Sequence, residues 1–279
     1  MVWSDVILGC DVAAWFAPSC QFLGGAVQRL SDKSHELQGY ASYPCLLMES
    51  SVLDDPRVQN LSETARRLLR RPRPRFRGHL HRWATAVAVP GGVLATAAAD
   101  GPGQTVSMAV FAVGTVFMLG ASALTHWRDW PVERVELMAR LDHSAIFVMF
   151  ATSATPIAQY GIGGGRGTFV LIFAWVGAAT GIIAEFVPIH PPRGVVNGVY
   201  LGFGASFLAF LPWLAGGLTS GQLTLLLCGG GAYALGALVV GAQWPDHWGE
   251  TFGYHEIWHL FVVAAAGFHY LLALQLTAA

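Results

Sequence analysis

The chain carries histidines at positions and spacings that suit a metal ion. His255 and His259 lie four residues apart near the C-terminus, and His126 lies four residues after Ser122. Residues four apart share one face of a helix and are separated by about 6 Å along its axis. Three neutral imidazoles that leave a fourth position open are the usual ligands of a catalytic zinc ion. We therefore predict a zinc site at His126, His255 and His259.

Asp142 and Ser122 are the predicted catalytic residues beside this site. Asp142 opens an apolar stretch, and Ser122 shares a helix face with His126. A carboxylate can orient a water molecule or accept its proton, and a hydroxyl can donate a hydrogen bond to that water, to Asp142 or to a substrate oxygen. His143 follows Asp142 but projects about 100° away on a helix, so we expect it to lie outside the site.

The segment from His255 to His259 also matches His-Glu-x-x-His, the zinc motif of a metalloprotease. A further ligand is expected downstream in such a protease, but no Asp or Glu follows Glu256. His269 lies about 280° further round the helix than His259 and roughly 15 Å along it, so we expect it to pack in the core or at the lipid interface. Glu256 is expected to be a solvated acid at the helix start. The remaining histidines are expected at the surface: His35, His79, His81, His190 and His247.

The composition of the chain is that of a membrane protein. Hydrophobic residues make up 54% of it and charged residues 12%, whereas soluble domains are about one-quarter charged. The net charge of −1 gives no indication of a nucleic-acid partner. Apolar stretches of about 17–25 residues recur after the first 82 residues, and each is long enough to span a bilayer core of about 30 Å. There are seven of them: 83–99, 104–126, 142–160, 168–187, 195–215, 221–242 and 255–276.

These stretches predict an all-α, polytopic membrane protein with a seven-transmembrane helix bundle, because lipid-exposed backbone must satisfy its own hydrogen bonds. Arginines are concentrated in the tail before the first stretch and in the loops after the second and fourth stretches, where they are Arg128, Arg134, Arg140 and Arg193. The positive-inside rule then places the N-terminus in the cytoplasm. With this orientation His126, Asp142 and His255 all lie at the same, cytoplasmic depth.

We predict two regions along the chain. Residues 1–80 form an N-terminal cytoplasmic tail that is partly disordered and basic near its end, which suits a juxtamembrane anchor to anionic lipid. Residues 81–279 form the seven-helix membrane domain. The four cysteines form no C-x-x-C pair, so isolated thiols are expected rather than a disulfide framework.

Three motifs resemble those of the hemolysin III family, which is related to the progestin and adipoQ receptors and, more distantly, to alkaline ceramidases. They are S-x-x-x-H at Ser122–His126, L-D-H followed by S-A-T-P at 141–156, and H-E-x-W-H-x-x-V-V at 255–263. The resemblance covers roughly residues 76–275. It implies a seven-helix bundle with a cytoplasmic-side zinc on the same three histidines, and a metal-dependent amide hydrolase that acts on lipids. Glu185 departs from the pattern, since a basic or neutral residue is expected there.

Function remains open among three classes at this point. The first is a multi-pass cell-membrane hydrolase of lipid amides or esters that uses zinc, and Ser122 and Asp142 favour it because a structural zinc usually has four protein ligands. The second is a zinc-stabilised receptor or structural protein without turnover. The third is a pore-forming hemolysin, which the clustering of polar residues at one depth disfavours. Beyond the lipid bilayer and a lipid substrate, no partner is indicated, and the oligomeric state stays open.

Overall fold

Helices account for nearly all of the part of the chain that is described. The computed structural model describes residues 56–70, 74–189, 191, 193–246 and 251–278. These residues form ten α-helices and no β-strand. The helices are α1 Pro56–Gln59, α2 Glu63–Arg70, α3 His79–Ala97, α4 Pro102–Trp127, α5 Val132–Pro156, α6 Gly164–Phe186, α7 Arg193–Ser206, α8 Leu211–Gly217, α9 Ser220–Ala242 and α10 Tyr254–Thr277.

Six helical segments within the described residues are long and apolar enough to cross a membrane. They correspond to the predicted spans two to seven and are 102–127, 132–162, 164–186, 194–217, 220–242 and 254–277. Two of them are composite, because a π-helical turn at Ile157–Ile162 extends α5 and a 3-10 turn at Phe207–Phe210 joins α7 to α8. The chain is therefore an all-α, polytopic membrane protein, as the apolar stretches predict.

The first predicted span, 83–99, lies largely within α3. This helix has 19 residues, which corresponds to about 28 Å of length, but it is not among the six segments found in the described part of the chain. Its outward face is nevertheless apolar, since Trp83, Val87 and Leu94 are exposed. A total of seven spans and a cytoplasmic N-terminus stay predictions.

The main core joins α3, α4, α5 and α10. Met108 and Phe111 of α4 are completely buried and pack in one cluster with Met149 of α5 and Val262 of α10. Helices α4 and α5 approach so closely at Gly114 that an added Cβ atom would lie 2.0 Å from the Thr152 hydroxyl oxygen. Such small-residue contacts are how membrane helices bring their backbones together. The core thus fixes the relative positions of the helices that carry the predicted site residues.

The segment formed by α7 and α8 is packed far more loosely than α5. Only 6% of the residues in its most apolar stretch are buried, against 67% for the segment that contains α5. Its buried contacts concentrate near the end of the segment, where Phe210 and Leu214 join a cluster with Ala158 and Leu272. Elsewhere in this segment large apolar side chains such as Val199 and Leu208 are exposed.

Two short helices lie within the predicted N-terminal tail. Ala65 of α2 is completely buried against Val135 and Ala139 of α5. The backbone N–H of Ser62 also donates to the Glu136 carboxylate at 2.9 Å. The end of the tail is therefore held against the start of α5, while residues 1–55, including most of the predicted tail, lie outside the described residues.

Candidate metal centre

Three histidines converge at the junction of α4 and α10. The ligand atoms of His126, His255 and His259 all lie within 4.8 Å of one another. The Nε2 atoms of His126 and His255 are 3.2 Å apart. Two nitrogens that bind one tetrahedral zinc at 2.0–2.1 Å are separated by about 3.3 Å. The geometry of the cluster therefore suits a shared metal ion.

The local structure explains why these side chains meet. His126 occupies the last turn of α4, and His255 and His259 lie on the first two turns of α10. The turn before α3 approaches the end of α4 at Gly78, whose φ is +76° and whose added Cβ would lie 3.1 Å from the carbonyl carbon of His126. On the other side, the Thr125 hydroxyl donates to the Met138 carbonyl of α5 at 3.1 Å. The His126 backbone is thus held between α3 and α5.

Glu256 fixes the start of α10 rather than facing solvent. Its side chain is 2% exposed, and one carboxylate oxygen accepts a hydrogen bond from the Gly253 N–H at 2.8 Å. The other oxygen accepts from the Nε of Arg77 at 2.5 Å. The prediction of a solvated acid is therefore wrong. It failed because Arg77 lies 179 residues upstream, and only the fold brings the two side chains together.

The structure brings both predicted catalytic residues to the histidine cluster. Asp142 Oδ2 lies 3.3 Å from His126 Nε2, and Ser122 lines the same cavity as Asp142. Ser122 and His126 are both buried on α4, as their spacing of four residues predicts. This places a carboxylate oxygen within reach of a metal ion or of a water molecule beside it.

A fourth histidine beside the cluster was missed at the sequence level. His81 of α3 is 2% exposed, and its ring stacks on that of His259 with centroids 4.0 Å apart and an interplanar angle of 25°. The prediction of a surface position for His81 is therefore wrong. The position of His81 along the chain could have indicated its place at the site. It lies two residues before the first predicted span and therefore at the same end of the bundle as the other site residues.

A second polar cluster joins α5, α6 and α7. We call it the Glu185 cluster and define it as Glu185, His143, Tyr200 and Arg140. The His143 Nδ1 lies 3.4 Å from Glu185 Oε2. The Tyr200 hydroxyl donates to Glu185 Oε1, and Arg140 Nη1 donates to the Glu185 carbonyl at 2.7 Å. The unusual acid of α6 is therefore satisfied by partners on two neighbouring helices.

One cavity of about 780 Å³ borders both clusters. The three histidines, His81, Asp142 and Ser122 line it at one end, together with His143 and Tyr200. Much of the remaining wall is apolar and includes Met118, Phe147 and Val262, and the cavity extends to His269. An apolar cavity with a few convergent polar groups is the usual form of a small-molecule site.

Comparison with known proteins agrees with the motifs. The profile of the family described as Haemolysin-III related matches residues 69–270. Hemolysin-3 of Bacillus cereus is 29% identical over 170 residues, which cover 61% of this chain and 74% of the relative. The Hemolysin-3 homolog of Bacillus subtilis (strain 168) is 26% identical over 162 residues, covering 58% and 72%. Heptahelical transmembrane protein 4 of Arabidopsis thaliana is 30% identical over 179 residues, covering 57% and 46%.

The matched region contains every residue of the histidine cluster together with Asp142 and Ser122. It also spans well over half of the chain, so the match does not rest on one short motif. The resemblance stated from the three motifs is thereby confirmed, and this multi-pass membrane chain belongs to the Haemolysin-III related family.

Proposed function

We propose that this protein is a zinc-dependent hydrolase of lipid amides or esters in the cell membrane, with zinc bound by His126, His255 and His259. The observation that carries the proposal is the convergence of three histidine ligand atoms within 4.8 Å of one another at the end of a largely apolar cavity. Zinc is the metal of choice because three imidazoles with a fourth open position are its usual catalytic ligands.

The roles of the neighbouring residues follow from their positions. When bound, zinc would act as a Lewis acid that polarises a carbonyl group and lowers the pKa of water toward neutrality. The Asp142 carboxylate, 3.3 Å from His126 Nε2, is placed to accept a proton from a water molecule in the cavity. The Ser122 hydroxyl lines the same cavity, and we assign to it the role of orienting that carboxylate. In this arrangement Asp142 and Ser122 serve proton transfer, and the three histidines serve metal binding.

The cavity suits a lipid substrate. Apolar side chains such as Phe147, Phe150 and Leu214 line its wall and can contact an acyl chain. In the proposal, the polar groups at the histidine end face the bond to be cleaved. The segment of α7 and α8 lines the same cavity and is the least buried of the six candidate spans found in the described residues. We propose that a lipid enters from the bilayer beside this segment.

The proposed hydrolase activity is tested by measuring lipid hydrolysis by purified protein in vesicles that contain a ceramide, an N-acyl amide or an ester lipid. We expect release of fatty acid from at least one of them, loss of that release in His259→Ala, and retention in the control His79→Ala, because His79 does not line the cavity. No release from any lipid by zinc-loaded protein would contradict the hydrolase and favour the alternative below.

The alternative is a receptor or structural protein in which zinc fixes α4 to α10. It is favoured by one observation, namely that the three candidate ligands come from these two helices and would join them. Under this alternative, removal of zinc lowers thermal stability, and Asp142→Asn changes no catalytic property. A pore is not proposed, because the site's ionisable groups gather at one end of the bundle.

The orientation of the site is part of the proposal, with the histidine cluster on the cytoplasmic side. Labelling of single cysteines in intact cells tests this orientation, with the variants Arg134→Cys and Gly165→Cys. Both positions are exposed, and they lie at opposite ends of the composite segment 132–162. An added Cβ at Gly165 meets no atom within 4 Å. We expect an impermeant reagent to label position 165 alone, and labelling of position 134 alone would invert the topology.

A further inference from the structure

We propose that His81 binds the polar group of the ligand at the metal centre, by donating a ring N–H hydrogen bond to a carboxylate or carbonyl oxygen in the cavity. The inference rests on the proposed function for the metal and adds to it a ligand-binding residue. No motif identified in the sequence includes His81, and its position becomes clear only from the packing of α3 against α10.

The burial of His81 requires a hydrogen-bonding partner. Its side chain is 2% exposed, and neither Nδ1 nor Nε2 has a hydrogen-bond partner among the residues that the structure describes. An imidazole buried without such a partner is costly, so each case in a native structure needs an explanation. Two polar groups near the cluster are satisfied within the protein, Thr125 by the Met138 carbonyl and Glu256 by Arg77.

The position of the ring assigns that partner to the cavity. His81 lines the same cavity as Asp142 and the three histidines, and one face of its ring is covered by His259, with centroids 4.0 Å apart. His269 also has ring nitrogens without a partner in the described residues, but it lies ten residues beyond His259 on α10, which is about 15 Å along the axis. His81, unlike His269, therefore lies next to the proposed metal.

A direct role as a metal ligand is disfavoured by the same geometry. The group of ligand atoms that lie within 4.8 Å of one another contains His126, His255 and His259 but not His81. A ring stacked on His259 has its nitrogens beside that group rather than inside it. His81 is thus placed to contact what the metal binds, not the metal.

The chemical class of the ligand follows from the groups that face it. Asp142 offers a carboxylate on one side of the histidine cluster, which suits a water molecule. A metal cation together with an imidazole N–H offers a positive charge and a donor, which is the combination that binds a carbonyl or carboxylate oxygen. A fatty acid, the product of amide or ester hydrolysis, carries this group and an apolar chain that fits the cavity wall.

Binding of decanoate to the full-length protein loaded with Co²⁺ tests the inference without relying on turnover. The visible absorption of the bound Co²⁺ reports metal content and changes when a ligand enters its open position. The variants are His81→Phe, which keeps a stacking ring without nitrogens, and His81→Gln, which keeps an N–H donor. His79→Phe is the control on the same helix, because His79 does not line the cavity.

We expect every variant to bind one equivalent of Co²⁺. The Kd for decanoate should rise about tenfold or more in His81→Phe, which is the loss typical of one hydrogen bond to a charged group. His81→Gln should recover most of the affinity, and His79→Phe should equal the wild type. An unchanged Kd in His81→Phe would overturn the inference.

Three further outcomes bear on this inference and on the proposed function. Loss of Co²⁺ from folded His81→Phe and His81→Gln would overturn the inference, because it would make His81 a metal ligand. A wild-type protein that binds Co²⁺ and decanoate, responds to His81→Phe and yet cleaves no lipid would support the inference and contradict the hydrolase. A wild-type protein that binds no Co²⁺ would overturn both.

Discussion

The Glu185 cluster and the histidine cluster border one cavity and use similar residue types, yet they differ in the partners that their polar atoms have among the described residues. Both oxygens of the Glu185 carboxylate are engaged, one by Tyr200 and the other by His143. In the histidine cluster, two ring nitrogens face each other at 3.2 Å, and the adjacent His81 has no hydrogen-bond partner in the described part of the chain. The difference supports a structural role for the first cluster and, under the proposed function, a ligand-binding role for the second.

The largest effect that sharpens this contrast is expected from Asp142→Asn. The three histidines supply enough ligands for the metal, so zinc should remain, whereas an amide cannot accept a proton from water. The rate of lipid hydrolysis should fall by about 10²–10⁴-fold, which is the usual contribution of a general base. Zinc content and turnover are measured on the same sample. Loss of zinc along with the fold would instead make Asp142 a ligand or a structural residue.

A second variant, Glu256→Gln, disrupts an interaction that is complete within the protein. It leaves the Arg77 guanidinium next to a neutral amide, and breaking a buried ion pair by removing one charge typically costs about 3–5 kcal/mol. We expect a correspondingly lower thermal unfolding temperature at saturating zinc. Equal stability of Glu256→Gln and the wild type would show that the pair contributes nothing to the start of α10. Gln keeps the volume and the acceptor for the Gly253 N–H, so the change isolates the charge.

The smallest expected effect belongs to Tyr200→Phe in the Glu185 cluster. This change removes one hydrogen bond to Glu185, and a single hydrogen bond contributes about 1 kcal/mol to stability. Zinc content should not change, because Tyr200 contacts His143, Phe147 and Glu185 rather than any of the three candidate ligands. Loss of zinc from folded Tyr200→Phe would contradict the separation of the two clusters.

The sequence predicts the helices and the residues of the cluster well because both follow local rules. Apolar length identifies the six spans that the structure contains, and spacing by four places Ser122 with His126 and His255 with His259. Arginine asymmetry then brings three distant segments to one depth. These signals need no knowledge of which helices are neighbours.

The residues that sequence reasoning missed depend on such neighbours. Glu256 is buried because Arg77 reaches it from the segment before α3. His81 is buried because α3 packs beside α10 and stacks the two rings. The Arg77–Glu256 and His81–His259 pairs join residues far apart in the chain, and no periodic pattern predicts them.

The central claim is that the three histidines bind zinc, and metal analysis of purified protein tests it most directly. We expect about one zinc per chain in the wild type and a loss of affinity in His126→Ala, His255→Ala and His259→Ala that exceeds the 10–100-fold typical of an outer-shell partner. The control His79→Ala should retain its zinc. Wild-type protein without zinc, or stoichiometric zinc with unchanged thermal stability in all three alanine variants, would contradict the account.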